Sequence, residues 1–242
     1  MRIAMMVIRL LPIVPYLMLK LWICSVCDKI SYLTGYKVSR QITLCANWAG
    51  RVTIEAHGQE NIPKENGFIF FPNHQGLYDV LAILHSCTTP FAFVIKKEAS
   101  QVILLKQVIG AVGSLVIDRE DIKQSMLIIK KVAEEVKNGR NFLIFPEGTR
   151  SKNGNNLLDF KGGSFKSAVK AQCPIVPVAL VDSFKPFDEN SIKPVTVKVI
   201  YLPPIPYEEY KGMKTVEIAA EVRGRIESAI EKYSNGKSHE GI

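Results

Sequence analysis

Two stretches, FIFFPNH at residues 68–74 and FLIFPEG at residues 142–148, share one pattern. Each is an apolar run of the kind that forms a buried strand, stops at a proline, and continues into polar residues. In an open α/β sheet, ligands bind in the crevice beyond the carboxyl ends of the strands. If the two strands run parallel in one sheet, we expect His74 and Glu147 to lie at the same edge.

The chain from residue 51 onward alternates short apolar runs with amphipathic segments, which is typical of α/β proteins. Seven runs predict strands, at 51–56, 67–71, 91–95, 114–117, 141–145, 175–181 and 195–201. Helices are expected at 77–86, 97–110, 121–138, 163–172 and 214–233. The clearest of them is the helix at 121–138, with Asp121 as its capping residue. We therefore predict an α/β domain over residues 51–242, with a central mixed, mostly parallel sheet flanked by helices.

The positive charge of the chain is concentrated at its amino terminus. Residues 1–51 contain seven Lys or Arg against one Asp, so they carry +6 of the formal net charge of +8. Trp22, Trp48 and three tyrosines lie among these cations, a combination enriched where proteins meet the headgroups of an anionic membrane. The intervening residues are long aliphatics rather than stacking groups along a groove. An anionic membrane surface is therefore favoured over nucleic acid as the partner.

Residues 3–27 are apolar apart from Arg9 and Lys20, and Pro12 with Pro15 is expected to kink any helix there. The ten uncharged residues between the two cations would cover about 15 Å as a helix. That length is about half of a hydrocarbon core of ~30 Å, so an easy transmembrane span is not expected.

A second helix is expected at 36–50, joined to the first across Thr34 and Gly35. Over residues 1–50 we therefore predict a membrane-associating helical hairpin that lies in one leaflet. A true span is the alternative that lengths near the threshold leave open.

The five cysteines show no zinc-binding spacing. The one C-x-x-C, from Cys24 to Cys27, lies inside the amino-terminal hydrophobic run rather than between a strand and a helix. We expect free thiols in a reducing compartment, and no metal site.

His74 and Asp79 stand five residues apart just after the first of the two strands. A helical pattern begins within a few residues of His74, so Asp79 is expected in its first turn, within reach of one ring nitrogen of the histidine. The other ring nitrogen would then serve as a base. The alternative is a histidine that caps a turn and an aspartate that stabilises a helix amino terminus.

The second strand end supplies a candidate phosphate site. The strand is followed by Glu147, Gly148, Thr149 and Arg150, and Lys161 comes further along the chain. Cations, turn amides and a nearby helix amino terminus together favour a phosphate dianion. The alternative is a glycine-centred turn with solvated cations. A third strand ends in Asp118 and Arg119, which are also consistent with a surface ion pair.

Three blocks occur in the order and at the separations of the signature blocks of the glycerolipid acyltransferases: NHQGLYD (73–79), FPEGTRS (145–151) and IVPVAL (175–180). The shorter stretches KKEA, VIDR and DFKGG extend the likeness, and the chain resembles this family from about residue 52 to residue 202. Several ordered blocks are much more specific than any one of them.

The resemblance implies a role for each matching residue. His74 matches the general base of the family, and Asp79 matches the carboxylate that orients it. The positions that match the glycerol-phosphate site are Arg119, Glu147, Gly148, Thr149, Arg150 and Lys161. Pro177 lies in the block linked to the acyl side of the site.

Two places depart from the family pattern. Gly76 stands where many members have serine, which puts little in doubt. Ile103 and Lys106 replace what is often a P-x-x-G turn, so a contact between Lys106 and phosphate stays open.

The resemblance also implies a reaction, in which an acyl group passes from an acyl thioester to the 2-hydroxyl of lysophosphatidate and gives phosphatidate. The donor thiol, coenzyme A or acyl carrier protein, stays open, and no metal or organic cofactor is expected. Glycerol 3-phosphate or another lysophospholipid is an alternative acceptor, and a membrane-bound lipid-binding module is the alternative outside catalysis. Because both substrates carry acyl chains, we expect attachment to the cytoplasmic face of the cell membrane through the amino-terminal helices.

Overall fold

The computed structural model describes residues 1–27, 29–101 and 103–234, the side chains of residues 103 and 104 excepted. The strands are β1 (Val52–His57), β2 (Ile69–Pro72), β3 (Ala92–Lys96), β4 (Leu115–Ile117), β5 (Phe142–Leu143), β6 (Ile175–Val181) and β7 (Val195–Tyr201). They form a seven-stranded sheet in the order β1-β7-β6-β2-β5-β3-β4. All neighbouring pairs are parallel except β6 with β7. The predicted mixed, mostly parallel sheet is therefore confirmed.

Helices cover both faces of this sheet. Those in the described part of the chain are α1 (Arg2–Leu10), α2 (Val14–Val26), α3 (Tyr32–Gly50), α4 (Asp79–Ser86), α5 (Ile103–Val112), α6 (Ile122–Lys137), α7 (Lys166–Ala171), α8 (Lys185–Asp188), α9 (Tyr207–Tyr210) and α10 (Thr215–Ser234). Apolar residues of α3, α4 and α5 pack on one face, and those of α6, α7 and α10 pack on the other. Every residue of β6 is consequently buried, as expected for a strand covered on both sides.

The helix predicted at 121–138 is present as α6, and its cap is the expected one. The Asp121 carboxylate accepts a hydrogen bond of 3.0 Å from the N–H of Gln124. The helix predicted at 97–110 is in part wrong, because Ala99–Gln101 forms a 3₁₀ turn before α5, and residue 102 lies outside the described residues. The short helices α8 and α9 were not predicted, since four residues cannot show an apolar period.

The predicted kink near Pro12 is confirmed. Helix α1 ends at Leu10, α2 begins at Val14, and the two are bent by 95°. Pro15 lies in the first turn of α2, where backbone N–H groups have no acceptor within the helix, so the proline costs no hydrogen bond. By length and composition, no single described helix could cross a membrane, whereas the bent pair of α1 and α2 together could.

The predicted start of the second helix is wrong. Helix α3 begins at Tyr32 rather than at residue 36, because the Ser31 side chain accepts a hydrogen bond of 3.2 Å from the N–H of Leu33 and caps it there. Gly35, which we had expected at the join, lies inside α3. A Cβ atom at this position would approach the carbonyl oxygen of Ala111 in α5 to 1.9 Å. The glycine thus lets two helices pack closely rather than ending one of them.

Helix α3 packs on the α/β layers rather than standing apart from them. Tyr36 is 1% exposed, and its hydroxyl donates a 3.1 Å hydrogen bond to the carbonyl oxygen of Cys87, just after α4. Asn47 receives a hydrogen bond from the Tyr78 hydroxyl at 2.6 Å and contacts Nδ1 of His85 at 2.8 Å. Most of the hydrogen bonds that hold α3 therefore reach toward α4.

Helix α1 is fixed to the rest of the chain by Arg2, which is 2% exposed. Its guanidinium donates to the carbonyl oxygens of Gly50 at 2.6 Å, Lys193 at 2.8 Å and Pro186 at 3.1 Å. Burial lowers the pKa of this guanidinium, and the three carbonyl dipoles offset part of the cost of burying its charge. The first turn of α1 is consequently held close to α8.

Candidate active site

The end of β2 is held against the end of β6 by an asparagine that the sequence analysis missed. Asn73 is 1% exposed. Its Oδ1 accepts a 2.7 Å hydrogen bond from the N–H of Leu180, and its Nδ2 donates to the carbonyl oxygen of Leu180 at 3.1 Å. A side-chain amide here reproduces the two hydrogen bonds of a strand ladder, so the chain leaves the sheet at a fixed point, directly before His74.

The structure brings His74 and Asp79 together as expected from their spacing. Nδ1 of His74 lies 2.7 Å from Oδ2 of Asp79, which is the first residue of α4 and is fully buried. Since a carboxylate oxygen accepts, we assign to His74 the tautomer with its proton on Nδ1. The His74 side chain is 21% exposed, and its Nε2 has no hydrogen-bond partner among the residues that the structure describes. This nitrogen can therefore accept a proton from a group that lies beside it.

The Asp79 carboxylate is surrounded by donors that offset its burial. The N–H groups of Gln75 and Gly76 donate to Oδ2 at 2.7 Å and 3.0 Å. The hydroxyl of Ser183, just after β6, donates to Oδ1. A buried carboxylate with several donors is held in one orientation and stays compatible with negative charge.

The expectation that the two similar strand ends share one edge is met, because β2 and β5 are parallel neighbours. Oε1 of Glu147 accepts a 2.7 Å hydrogen bond from the N–H of His74, and Oε2 accepts one of 3.1 Å from the N–H of Leu158. Glu147 is 2% exposed, and burial raises the pKa of its carboxyl group. Oε1 therefore links the two strand ends, and Oε2 fixes Leu158 in the loop that follows.

Two cations converge on the turn after β5. Gly148 has φ of +74°, and a Cβ atom added there would lie 3.0 Å from Nη1 of Arg119 and 3.2 Å from Nζ of Lys161. Asp118 pairs with Lys97 at 3.0 Å, and no carboxylate in the described part of the chain forms a salt bridge with Arg119. The alternative of a surface pair between Asp118 and Arg119 is thus not what the structure shows.

Thr149 is exposed and Arg150 is half-buried, on the same turn as Gly148. In the segment that departs from the family pattern, Lys106 is exposed on α5. The side chain of Ile103 lies outside the described residues. Pro177 is buried within β6, in register with Phe71 of β2.

An apolar cleft of about 210 Å³ adjoins these cations. Arg119, Gly148 and Lys161 line part of it. Its apolar wall consists of Val94, Ile117, Ile128, Ile129, Val132 and Ile144. Phe145 also lines the cleft, and its ring stacks on that of His74 with centroids 4.0 Å apart. A site with cations beside apolar walls suits a ligand that has an anionic head and a hydrocarbon chain, and His74 lies next to it.

Comparison with known proteins points to one family. A family model described as acyltransferase matches residues 53–181. The 1-acyl-sn-glycerol-3-phosphate acyltransferases of Salmonella typhimurium and Escherichia coli are each 33% identical over 163 residues, which cover 67% of this chain and 66% of theirs. The alpha form of Bos taurus is 28% identical over 191 residues, covering 77% of this chain and 66% of its own. The matched region thus spans slightly less than two thirds of these relatives.

The fold has a counterpart among solved structures. The crystal structure of the 1-acyl-sn-glycerophosphate acyltransferase of Thermotoga maritima superposes with a TM-score of 0.74, covering 98% of this chain and 100% of that one. The sequence identity is 22%, so this likeness shows the shared fold.

Proposed function

The chain belongs to the acyltransferase family, and we propose that it transfers a fatty acyl group from an acyl thioester to the 2-hydroxyl of 1-acylglycerol-3-phosphate, giving phosphatidate. One observation carries this proposal. A histidine that is bonded to a buried carboxylate, and whose Nε2 has no partner among the described residues, lies beside an apolar cleft that has two cations. The base, the anion site and the hydrocarbon site that this reaction needs are thus adjacent.

His74 acts as the general base in the proposed mechanism. Nε2 removes the proton of the acceptor hydroxyl as its oxygen attacks the thioester carbonyl carbon. The imidazolium then returns this proton to the departing sulfur when the carbon–sulfur bond breaks, so the products are the ester and a free thiol. A positioned base of this kind contributes about 10²- to 10⁴-fold in rate.

Asp79 has two functions in this step. Its hydrogen bond to Nδ1 keeps the proton on that nitrogen, so Nε2 presents its lone pair, and its charge stabilises the imidazolium that forms. No covalent acyl-enzyme is needed, since the substrate hydroxyl takes the place of a serine. The transfer also requires no metal or organic cofactor.

The acceptor phosphate is proposed to lie against Arg119, Lys161 and the turn at Gly148, with Thr149 and Arg150 as further donors. Two cations and turn amides match the charge and the geometry of a phosphate dianion. Glu147 is proposed to act through the backbone, because its two carboxylate oxygens accept the N–H groups of His74 and Leu158.

The membrane-associating part is proposed to be residues 1–50, with the catalytic domain at 51–242. The large apolar side chains exposed on α1, α2 and the segment between them are Ile3, Val7, Ile8, Leu11, Ile13, Tyr16, Leu19, Trp22, Ile23 and Val26. Exposed apolar area of this extent on a basic segment fits the headgroup layer of an anionic leaflet. We place this leaflet at the cytoplasmic face of the cell membrane, where acyl thioesters are made.

A turnover assay with a panel of acceptors tests the proposal. The full chain in detergent is given an acyl-coenzyme A or an acyl carrier protein thioester, and release of free thiol is measured. We expect release with 1-acylglycerol-3-phosphate, and little with glycerol 3-phosphate, with other lysophospholipids or with monoacylglycerol, which has no phosphate. Preference for glycerol 3-phosphate or for another lysophospholipid would reassign the acceptor. Uptake of lipid without thiol release, with either donor, would identify a binding module instead.

A further inference from the structure

Ser183 lies two residues beyond β6 and is fully buried. Its hydroxyl donates to Oδ1 of Asp79, whereas Nδ1 of His74 is bonded to Oδ2 of the same carboxylate at 2.7 Å. We propose that Ser183 is a positioning residue, whose hydroxyl fixes the rotation of the Asp79 carboxylate so that Oδ2 faces the histidine. This inference rests on the proposed function, in which His74 is the base.

The two carboxylate oxygens do not share their donors equally. Oδ2 accepts from His74 and from the N–H groups of Gln75 at 2.7 Å and Gly76 at 3.0 Å. Oδ1 is 3.1 Å from the N–H of Gly76, which is thus divided between both oxygens. Ser183 is consequently the one donor in the described part of the chain that binds Oδ1 alone. Without it, Oδ1 would keep only its share of the Gly76 N–H, so the carboxylate would be held less firmly about its Cβ–Cγ bond.

Gln75 holds Ser183 in place. Its Oε1 accepts the backbone N–H of Ser183 at 2.8 Å, which fixes the orientation of the Gln75 amide. The Ser183 hydroxyl is also 2.9 Å from Oε1, but it has a single proton, and the charged carboxylate is the stronger acceptor. The hydroxyl proton is therefore directed at Asp79.

The support continues outward through Asn155. Nε2 of Gln75 donates to Oδ1 of Asn155 at 2.7 Å, and Nδ2 of Asn155 donates to Asp182 at 3.0 Å. Gln75 is 1% exposed, so the hydrogen bonds that join Ser183, Gln75 and Asn155 are largely shielded from water. A buried network whose members are all hydrogen-bonded restricts its side chains to one arrangement. Ser183 is thus itself held rigidly enough to position another group.

The test compares Ser183→Ala and Ser183→Cys with Ser86→Ala in the full chain. Ser86 is a matched control, because it is 5% exposed and its hydroxyl is bonded to the Ala82 carbonyl and the Tyr201 hydroxyl, outside the crevice. The cysteine variant keeps the size of the side chain but has a weak donor, so it reports on the hydrogen bond even if the alanine variant fails to fold. Initial rates with 1-acylglycerol-3-phosphate give kcat, KM and the pH dependence of kcat/KM.

For the Ser183 variants we expect kcat to fall about ten- to a hundred-fold, the range for one hydrogen bond to a charged group. KM for the acceptor should change little, because Ser183 does not touch the acceptor site. The acid limb of kcat/KM should move to lower pH, since a carboxylate that turns away stabilises the imidazolium less. Ser183→Thr, which keeps the hydroxyl, should recover most of kcat, and Ser86→Ala should resemble the parent.

The inference would be overturned if the folded Ser183→Cys variant had the kcat of the parent and the acid limb of its kcat/KM profile lay at the same pH. It would also be overturned by an equal loss in Ser86→Ala, because that would indicate a general effect of removing a buried hydroxyl. His74→Ala separates this result from the proposed function. If His74→Ala loses turnover while the Ser183 variants do not, only the positioning role fails, and if His74→Ala keeps turnover, the base assignment fails.

Discussion

The backbone N–H of His74 donates a 2.7 Å hydrogen bond to Oε1 of Glu147, a residue that lies 73 positions later in the chain. The other carboxylate oxygen of Glu147 accepts the N–H of Leu158 at 3.1 Å. One buried side chain therefore sets the distance between the proposed base and the turn that is proposed to bind phosphate. Its contribution is made through the backbone, which distinguishes it from the exposed residues on the same turn.

Replacing Glu147 by alanine should lower both stability and kcat. The variant leaves the N–H groups of His74 and Leu158 without their acceptors, at a cost of about 1 to 3 kcal/mol for each group that stays buried. Urea unfolding measures the stability, and initial rates of the folded protein measure kcat. Glu60→Ala, at an exposed carboxylate, is the control that should leave both unchanged. A stable variant with full activity would show that Glu147 does not hold His74.

Gly148→Ala should weaken acceptor binding in addition to straining the backbone. The new methyl group would lie 3.0 Å from Nη1 of Arg119 and 3.2 Å from Nζ of Lys161, so both cations would have to move. Gly139→Ala is a matched control, because Gly139 also has positive φ, of +82°, but its Cβ would meet no atom within 4 Å. We expect a similar loss of stability in both, of about 1 kcal/mol. Only Gly148→Ala should raise KM, and equal KM values would argue against a cation site there.

Arg119→Gln should raise KM for phosphate-bearing acceptors and change kcat little. A phosphate clamp contacts the acceptor equally in the ground state and in the transition state, so its loss weakens binding without raising the chemical barrier. Lys131→Gln, at an exposed cation on α6, is the control for loss of a positive charge. The measurement is the ratio of kcat/KM between acceptors with and without phosphate. The assignment of Arg119 to the phosphate fails if the variant affects both acceptor types alike.

Membrane attachment is best tested by deleting residues 1–27 rather than 1–50. Removal of α3 would expose the buried faces of α4 and α5, since Tyr36 and Asn47 are bonded to residues of the α/β layers. The shorter deletion keeps α3 and its hydrogen bonds to residues beside α4, and the shortened chain should sediment less with anionic vesicles. High salt should weaken what binding remains, because exposed charges are screened over about 3 Å at 1 M salt. Full sedimentation of the shortened chain at high salt would assign the attachment to another surface.

The sequence was sufficient for the sheet and for the His74–Asp79 pair because both have local signatures. Each strand is a short apolar run, and a histidine followed five residues later by an aspartate at a helix start can meet without help from distant residues. The shared edge of His74 and Glu147 required one further assumption, that β2 and β5 run parallel, and the sheet order satisfies it.

The residues that the sequence analysis missed are those whose contacts are distant in the chain. Asn73 is bonded to Leu180, and Ser183 to Asp79, across more than a hundred positions in each case. A single buried polar residue produces no periodic pattern in the sequence, and its hydrogen-bond partner becomes apparent only in the folded chain. The wrong start of α3 has a local cause instead, because a glycine at position 35 predicts a break, whereas the Ser31 cap starts the helix before it.

Turnover of His74→Ala is the most direct test of the account. The variant removes the imidazole, with its hydrogen bond to Asp79, and keeps the acceptor cations, the residues that line the cleft and the other donors to Asp79. We predict that thiol release from the acyl thioester falls by about 10²-fold or more, while binding of 1-acylglycerol-3-phosphate and sedimentation with membranes are retained. Near-parental turnover in a folded His74→Ala protein would contradict the assignment of His74 as the base.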